Sequence, residues 1–168
     1  FRSIGMAGGI QAAPTILVVG DSLSAAYGIP RQSGWVALLA DQLKTDKSAY
    51  QVINASVSGE TSAGGLTRLS ALLAAHQPKL LILALGANDG LRGLPLEQTA
   101  RNLHGMVALA KKQGSKVLLV GMRLPPNYGA TYTRKFQTLF VEVAKKDRVD
   151  LVPFLLEGIA SQRENFQS

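Results

Sequence analysis

Leu17-Val18-Val19 is an apolar, largely β-branched run that stops at Gly20 and gives way to Asp21, Ser22, Leu23 and Ser24. A strand buried on both faces of a parallel sheet has this character, and the abrupt polar turn marks its carboxyl end. Lys79–Leu85 repeats the pattern, near-continuously apolar and then broken by Gly86-Ala87-Asn88-Asp89-Gly90. Parallel strands cannot be joined by tight hairpins and need long crossovers, usually helical. The intervening sequence must therefore supply helices, and it does.

Strands are predicted over Thr15–Val19, Tyr50–Ala55, Lys79–Leu85 and Val117–Val120, with a fifth beginning at Leu151–Val152 and stopping at Pro153. Between them, apolar residues recur at helical spacing. Gly34–Leu43 carries Trp35, Leu38, Leu39 and Leu43 on one side, and Ala63–His76 carries Leu66, Leu69, Leu73 and His76 before Pro78 closes it. Leu96–Gln113 has Leu96, Ala100, Leu103, Val107 and Ala110 in a stripe with Gly114 as its C-cap, and Thr131–Lys146 buries Tyr132, Phe136, Leu139, Phe140 and Val143. Residues 125–129 read as a loop. Strict alternation of strand and helix predicts an α/β fold of three layers, α/β/α, around a five-stranded parallel sheet. The expected strand order is 2-1-3-4-5 with right-handed crossovers.

The length of 168 residues fits one domain, expected over residues 14–168, preceded by a Gly- and Ala-rich tail over 1–13. Ala12-Ala13 has the small residues that end a clipped signal peptide, although the tail could equally be an appended segment. A hydrophobic content of 46% against 17% charged residues describes a globular chain. The apolar stretch Leu80 to Leu85 is far below the roughly 18 residues of a membrane span, so stable membrane insertion is not expected.

Eighteen Lys and Arg against eleven Asp and Glu give a net charge of +7. The basic residues cluster no further than the pairs Lys111-Lys112 and Lys145-Lys146, with no aromatic interleaving, which argues against nucleic-acid binding. The same field favours anionic lipids or acyl substrates modestly. With no cysteine, disulfides, thiolate metal sites and cysteine nucleophiles are excluded. No cofactor or metal is expected.

The first three strand ends concentrate the chemistry. They carry Gly20-Asp21-Ser22, Ser58-Gly59 and Gly86-x-Asn88-Asp89. With strand one lying between two and three, and strands about 5 Å apart, these turns meet in one pocket. Ser22 offers a hydroxyl, Gly59 an unshielded N–H and Asn88 an amide donor. A hydroxyl ringed by three N–H donors is a nucleophile in an oxyanion hole, the equipment of acyl transfer. Plainer roles compete at each position. A serine after a strand is commonly a helix N-cap, for which Ser24 is the better candidate. Asp21 reads as a turn-stabilising acceptor rather than a base. Gly59 could be an ordinary positive-φ turn residue, Asn88 an Asx-turn, and Asp89 a brace for the loop.

Gly20-Asp21-Ser22-Leu23-Ser24 resembles the first sequence block of the GDSL (SGNH) hydrolases. Residues Asn54-Ala55-Ser56-Val57-Ser58-Gly59-Glu60-Thr61 resemble the second block and Gly86-Ala87-Asn88-Asp89 the third, in order and suitably spaced. The likeness continues through Leu124-Pro125-Pro126-Asn127-Tyr128-Gly129 and is nearest the bacterial multifunctional thioesterase, lysophospholipase and arylesterase enzymes. The resemblance implies a serine esterase or thioesterase with Ser22 as nucleophile and Gly59 and Asn88 completing the oxyanion hole. It also implies substrate contacts at Asp21, a mobile loop over the acyl channel at 91–96 with Leu91 and Leu94, and Leu124 lining that channel. Acyl esters, acyl thioesters or lysophospholipids are the implied substrates, and a periplasmic or secreted location is implied, with the cytoplasm as the alternative.

A serine nucleophile needs a general base, normally a histidine oriented by a carboxylate. Only His76 and His104 exist. His76 ends its helix at the opposite edge of the sheet and His104 lies two turns down another, so both are expected to be structural or surface residues. The resemblance implies an Asp-x-x-His block shortly after strand five, and residues 1–168 do not contain one. The domain is therefore expected to be C-terminally incomplete, the alternative being a hydrolase relic that only binds acyl chains or lipids. A phospho-acceptor receiver domain shares the strand order but needs a lysine after strand five, where Pro153-Phe154-Leu155-Leu156 stands. A nucleotide site fails because neither Gly-x-Gly-x-x-Gly nor a Walker lysine follows strand one.

Overall fold

The computed structural model describes residues 12–154. Five parallel strands, β1 (Thr15–Gly20), β2 (Gln51–Asn54), β3 (Leu80–Ala84), β4 (Lys116–Val120) and β5 (Asp150–Val152), form one sheet in the order β2-β1-β3-β4-β5. The expected order is the observed one. The central strands are the apolar ones because they are covered on both sides. Leu17, Val18 and Val19 of β1 and Leu81, Leu83 and Ala84 of β3 are fully buried. Burying each such side chain is worth about 1.5–3 kcal/mol, so this pair of strands anchors the domain.

Five helices make the crossovers: α1 (Trp35–Thr45), α2 (Ser62–His76), α3 (Ala87–Leu91), α4 (Leu96–Lys112) and α5 (Ala130–Asp147). From β1 the chain steps outward to β2, then every later step runs the other way across the sheet. With right-handed crossovers, α1 therefore covers one face, while α2, α4 and α5 lie on the other. Accordingly, α2 packs on α4 and α4 on α5. The stripes expected on α4 and α5 are the buried ones: Leu103, Val107 and Ala110, and Phe136, Leu139, Phe140 and Val143. Phe136 and Phe140 meet edge to face, with centroids 5.2 Å apart.

Three local expectations are corrected. On α1, Leu38 is exposed and Val36 takes the buried position, because an edge strand gives the helix a narrow bed and the inward stripe is rotated towards Val36. Residues 87–91, read as a turn, form the short helix α3. Ser24 caps no helix. Residues 22–28 are a run of turns, and the Ser24 hydroxyl instead accepts a hydrogen bond from Trp35 Nε1 at 3.2 Å, pinning this segment to the start of α1.

Gly90 shows how closely α3 is packed. A Cβ there would come within 2.6 Å of Phe136 Cε2 and 2.8 Å of Leu124 Cδ2. Gly90→Ala is expected to destabilise the domain by about 1–3 kcal/mol through overpacking, read as a lower denaturation midpoint in a urea titration. An unchanged midpoint would show that α3 floats free of α5.

Candidate active site

The carboxyl ends of β1 and β3 are level, with Gly20 beside Ala84 in the register. On the other side of β1, Ala55 N–H donates to Val18 O at 2.8 Å and Val57 N–H to Gly20 O at 3.0 Å. The turn after β2 is thus laid directly against the turn that carries Ser22. The three strand ends expected to meet do so at this edge.

Asp21 is buried, and its Oδ1 accepts the N–H of Leu23 at 3.1 Å. It stabilises the turn, which agrees with the sequence reading. Ser22, half-buried, has its carbonyl fixed by the N–H of Tyr27 at 3.1 Å. Among the described residues its own N–H is donated to no other group, and the same holds for the N–H of Gly59. Gly59 has φ of +80°, a conformation that strains any residue with a Cβ, and the space beside it is open except for Arg92 Nη2.

Burial lifts Asp21 above its ordinary pKa of 3.8, because desolvation penalises the carboxylate, with hydrogen bonds from the N–H of Leu23 and its own amide opposing. A raised folded-state pKa means that protonation favours folding. This contribution is present in acid and is lost as pH rises from about 3.8 through the higher folded-state value. Asp21→Asn keeps the acceptor for Leu23 and removes the buried charge. Denaturation measured from pH 3 to pH 7 is expected to show the variant gaining stability relative to wild type as pH rises. A difference independent of pH would contradict this account.

Asn88 lies in the first turn of α3, and its Nδ2 donates to Glu60 O in the turn after β2 at 3.0 Å. An Asn amide has two protons, so this bond orients the group and leaves the second N–H for a ligand. No Asx-turn is made by this side chain. Glu60 is itself held, since its carboxylate pairs with Arg68 of α2, Nε to Oε2 at 2.6 Å, and Arg68 Nη2 donates to Ala55 O at 2.5 Å. The turn from 55 to 60 is therefore clamped at both ends by one guanidinium.

Asp89 braces the same region from below. It is buried and accepts from Ser62 N–H at 2.8 Å, Ser62 Oγ at 2.6 Å and Thr99 Oγ1 at 3.0 Å. Asn102 Nδ2 donates on to Ser62 Oγ at 3.0 Å. One carboxylate thus joins the amino ends of α2 and α4 to α3, with both oxygens satisfied, as a buried charge requires. Ser62, Thr99 and Asn102 were not singled out from the sequence. Their spacing of 37 and 3 residues has no periodic signature, and only the fold brings them together.

The remaining expected site residues divide by exposure. Leu91, the last residue of α3, and Leu94, on the segment after it, are exposed. That segment is tied down by Tyr128 Oη to Leu91 O at 3.0 Å and Arg92 Nη2 to Gly59 O at 3.1 Å. Leu124, which the resemblance implies lines the acyl channel, is buried at 8% exposure and packs beneath Gly90. His76 is the last residue of α2, just before β3 begins, and so lies at the opposite edge of the sheet. His104 Nδ1 pairs with Asp147 Oδ2 at 2.6 Å, at the far end of α5. Neither serves Ser22.

Comparison with known proteins supplies the family. The model of the GDSL-like lipase/acylhydrolase family matches residues 18–167. Esterase TesA of Pseudomonas aeruginosa is 50% identical over 157 residues, covering 94% of this chain and 78% of the relative. Thioesterase 1/protease 1/lysophospholipase L1 of Escherichia coli K12 is 43% identical over 148 residues, or 88% and 70% of the two chains. Among solved structures, the psychrotrophic esterase EstA of a Pseudoalteromonas species, inhibited by monoethylphosphonate, superposes with a TM-score of 0.84 at 40% identity, covering 92% of this chain and 84% of that one. The chain belongs to the GDSL-like lipase/acylhydrolase family.

Proposed function

We propose that this protein hydrolyses carboxylic esters and thioesters of fatty acyl groups through an acyl-enzyme on Ser22. The Ser22 hydroxyl attacks the acyl carbonyl carbon while its proton passes to a base. The negative charge that develops on the carbonyl oxygen is held by the N–H groups of Ser22 and Gly59 and by the second amide proton of Asn88. Collapse of this intermediate breaks the bond to the alcohol or thiol, which leaves with the proton. Water then attacks the Ser22 ester, releasing the fatty acid and restoring the hydroxyl.

The observation that carries the reading is the bond from Asn88 to the Glu60 carbonyl. It is set before substrate arrives, so the oxyanion donors need no reorganisation in the transition state, which is where such groups contribute most. The names of the relatives, esterase and thioesterase/lysophospholipase, support the same reaction class. The Ser22 proton needs a general base. The family pattern assigns it to an Asp-x-x-His block, since His76 and His104 lie elsewhere. Leu91 and Leu94 are proposed to meet the acyl chain, with Leu124 supporting the channel wall from below.

The test is a pre-steady-state assay of the full-length protein with p-nitrophenyl esters and an acyl thioester. A burst of leaving group, stoichiometric with protein and followed by slower turnover, is the expected result. Saturable fatty-acid binding with no turnover of either ester would instead favour a non-catalytic lipid-binding role.

A further inference from the structure

The described residues expose nine large hydrophobic side chains, and six of them sit on the segments leaving the carboxyl ends of β1, β2 and β3: Leu23, Tyr27, Ile29, Val57, Leu91 and Leu94. An exposed apolar residue here or there is normal, but concentration on one edge marks a contact surface. Tyr27 is 78% exposed and Ile29 52%, and both belong to the segment after Ser22, well removed in sequence from the leucines assigned to the acyl chain. The segments are physically joined, by Val57 N–H to Gly20 O and by Arg92 to Gly59 O.

The charge on these segments has one sign. Arg31 and Arg92 are exposed, and neither makes an ion pair among the described residues. The carboxylates nearby are withdrawn, with Asp21 and Asp89 buried and Glu60 paired to Arg68. Glu97, exposed in the first turn of α4, lies in a cleft with Glu142, Arg134 and Lys135, where the charges balance.

We infer that this edge docks on an anionic phospholipid surface. Tyr27 and Ile29 enter the headgroup boundary and Arg31 and Arg92 face the phosphates. Apolar tips spread over three loops suit a deformable interface, and a tyrosine places its ring among acyl carbons with its hydroxyl in water. An acidic protein would match the arginines but would need a shaped apolar pocket for each protruding tip. Among the described residues no helix is long and apolar enough to cross a membrane, and the inferred contact is made by loop tips. The inference rests on the proposed esterase reading only for what is delivered, namely a lysolipid presented at its surface directly to Ser22.

Co-sedimentation of the full-length protein with vesicles tests this without turnover, so the docking and the chemistry fail independently. Binding to phosphatidylglycerol-containing vesicles is expected to exceed binding to pure phosphatidylcholine and to fall as salt rises. The double variant Tyr27→Ser/Ile29→Ser is expected to lose about tenfold in partitioning, by removal of apolar area. Arg31→Gln is expected to lose about fivefold, from roughly 1 kcal/mol per cation at an anionic surface. Both variants should keep wild-type circular dichroism and unchanged hydrolysis of a water-soluble short-chain ester, while Lys145→Gln/Lys146→Gln at the remote end of α5 should bind as wild type. No preference for anionic vesicles would overturn the inference. So would equal binding by the rim variants, an equal loss in the Lys145/Lys146 variant, or capture by an acidic protein without vesicle binding.

Discussion

Ser22→Ala is expected to lower ester hydrolysis by on the order of 10⁴- to 10⁶-fold, the range seen when the nucleophile of a serine hydrolase is removed. The loss should fall on kcat. Ser22 is half-buried and its hydroxyl supports no other group among the described residues, whereas the Ser22 carbonyl, which anchors Tyr27, is retained in the variant. The melting temperature should therefore move little, and fatty-acid affinity should be kept. A variant that retained a tenth of the activity would place the nucleophile elsewhere.

The second large effect belongs to Asn88. Asn88→Ala removes one of the three proposed oxyanion donors and, with it, the bond to Glu60 O. Loss of a single such donor costs about 10²- to 10³-fold in kcat, or roughly 3–4 kcal/mol of transition-state stabilisation. Because the donor acts on charge that forms only as the bond is made, KM should change far less than kcat. A transition-state analogue such as a trifluoromethyl ketone is expected to weaken in parallel with kcat, while the product fatty acid binds as before. A parallel rise in KM with kcat preserved would make Asn88 a binding residue instead. Asn88→Asp would be at least as damaging, since it sets a negative charge beside the one that develops.

Much of this architecture was legible in the sequence, for physical reasons. The doubly covered strands are near-continuous apolar runs, and the crossovers are long helices with one buried stripe, so both signals are strong and local. The meeting of the turns after β1, β2 and β3 followed from strand order, because the ends of adjacent parallel strands have to be neighbours. What escaped was set by contacts between distant segments. Leu38 fits a helical stripe, yet the edge position of β2 turns it outward. Ser24 has the chemistry of a cap but spends its hydroxyl on Trp35. The Asp89 network, with Ser62, Thr99 and Asn102, draws on three helices whose meeting has no trace in any one stretch of sequence.

One claim underlies the rest, that Ser22 is a nucleophile among donors fixed before substrate binds. The most direct measurement is reaction of the full-length protein with a fluorophosphonate, followed by peptide mass spectrometry. The expected result is a single phosphonyl adduct on the peptide bearing Ser22, absent in Ser22→Ala and slowed in Asn88→Ala. An adduct on any other serine, or none under conditions that fully label a control serine esterase, would contradict the account.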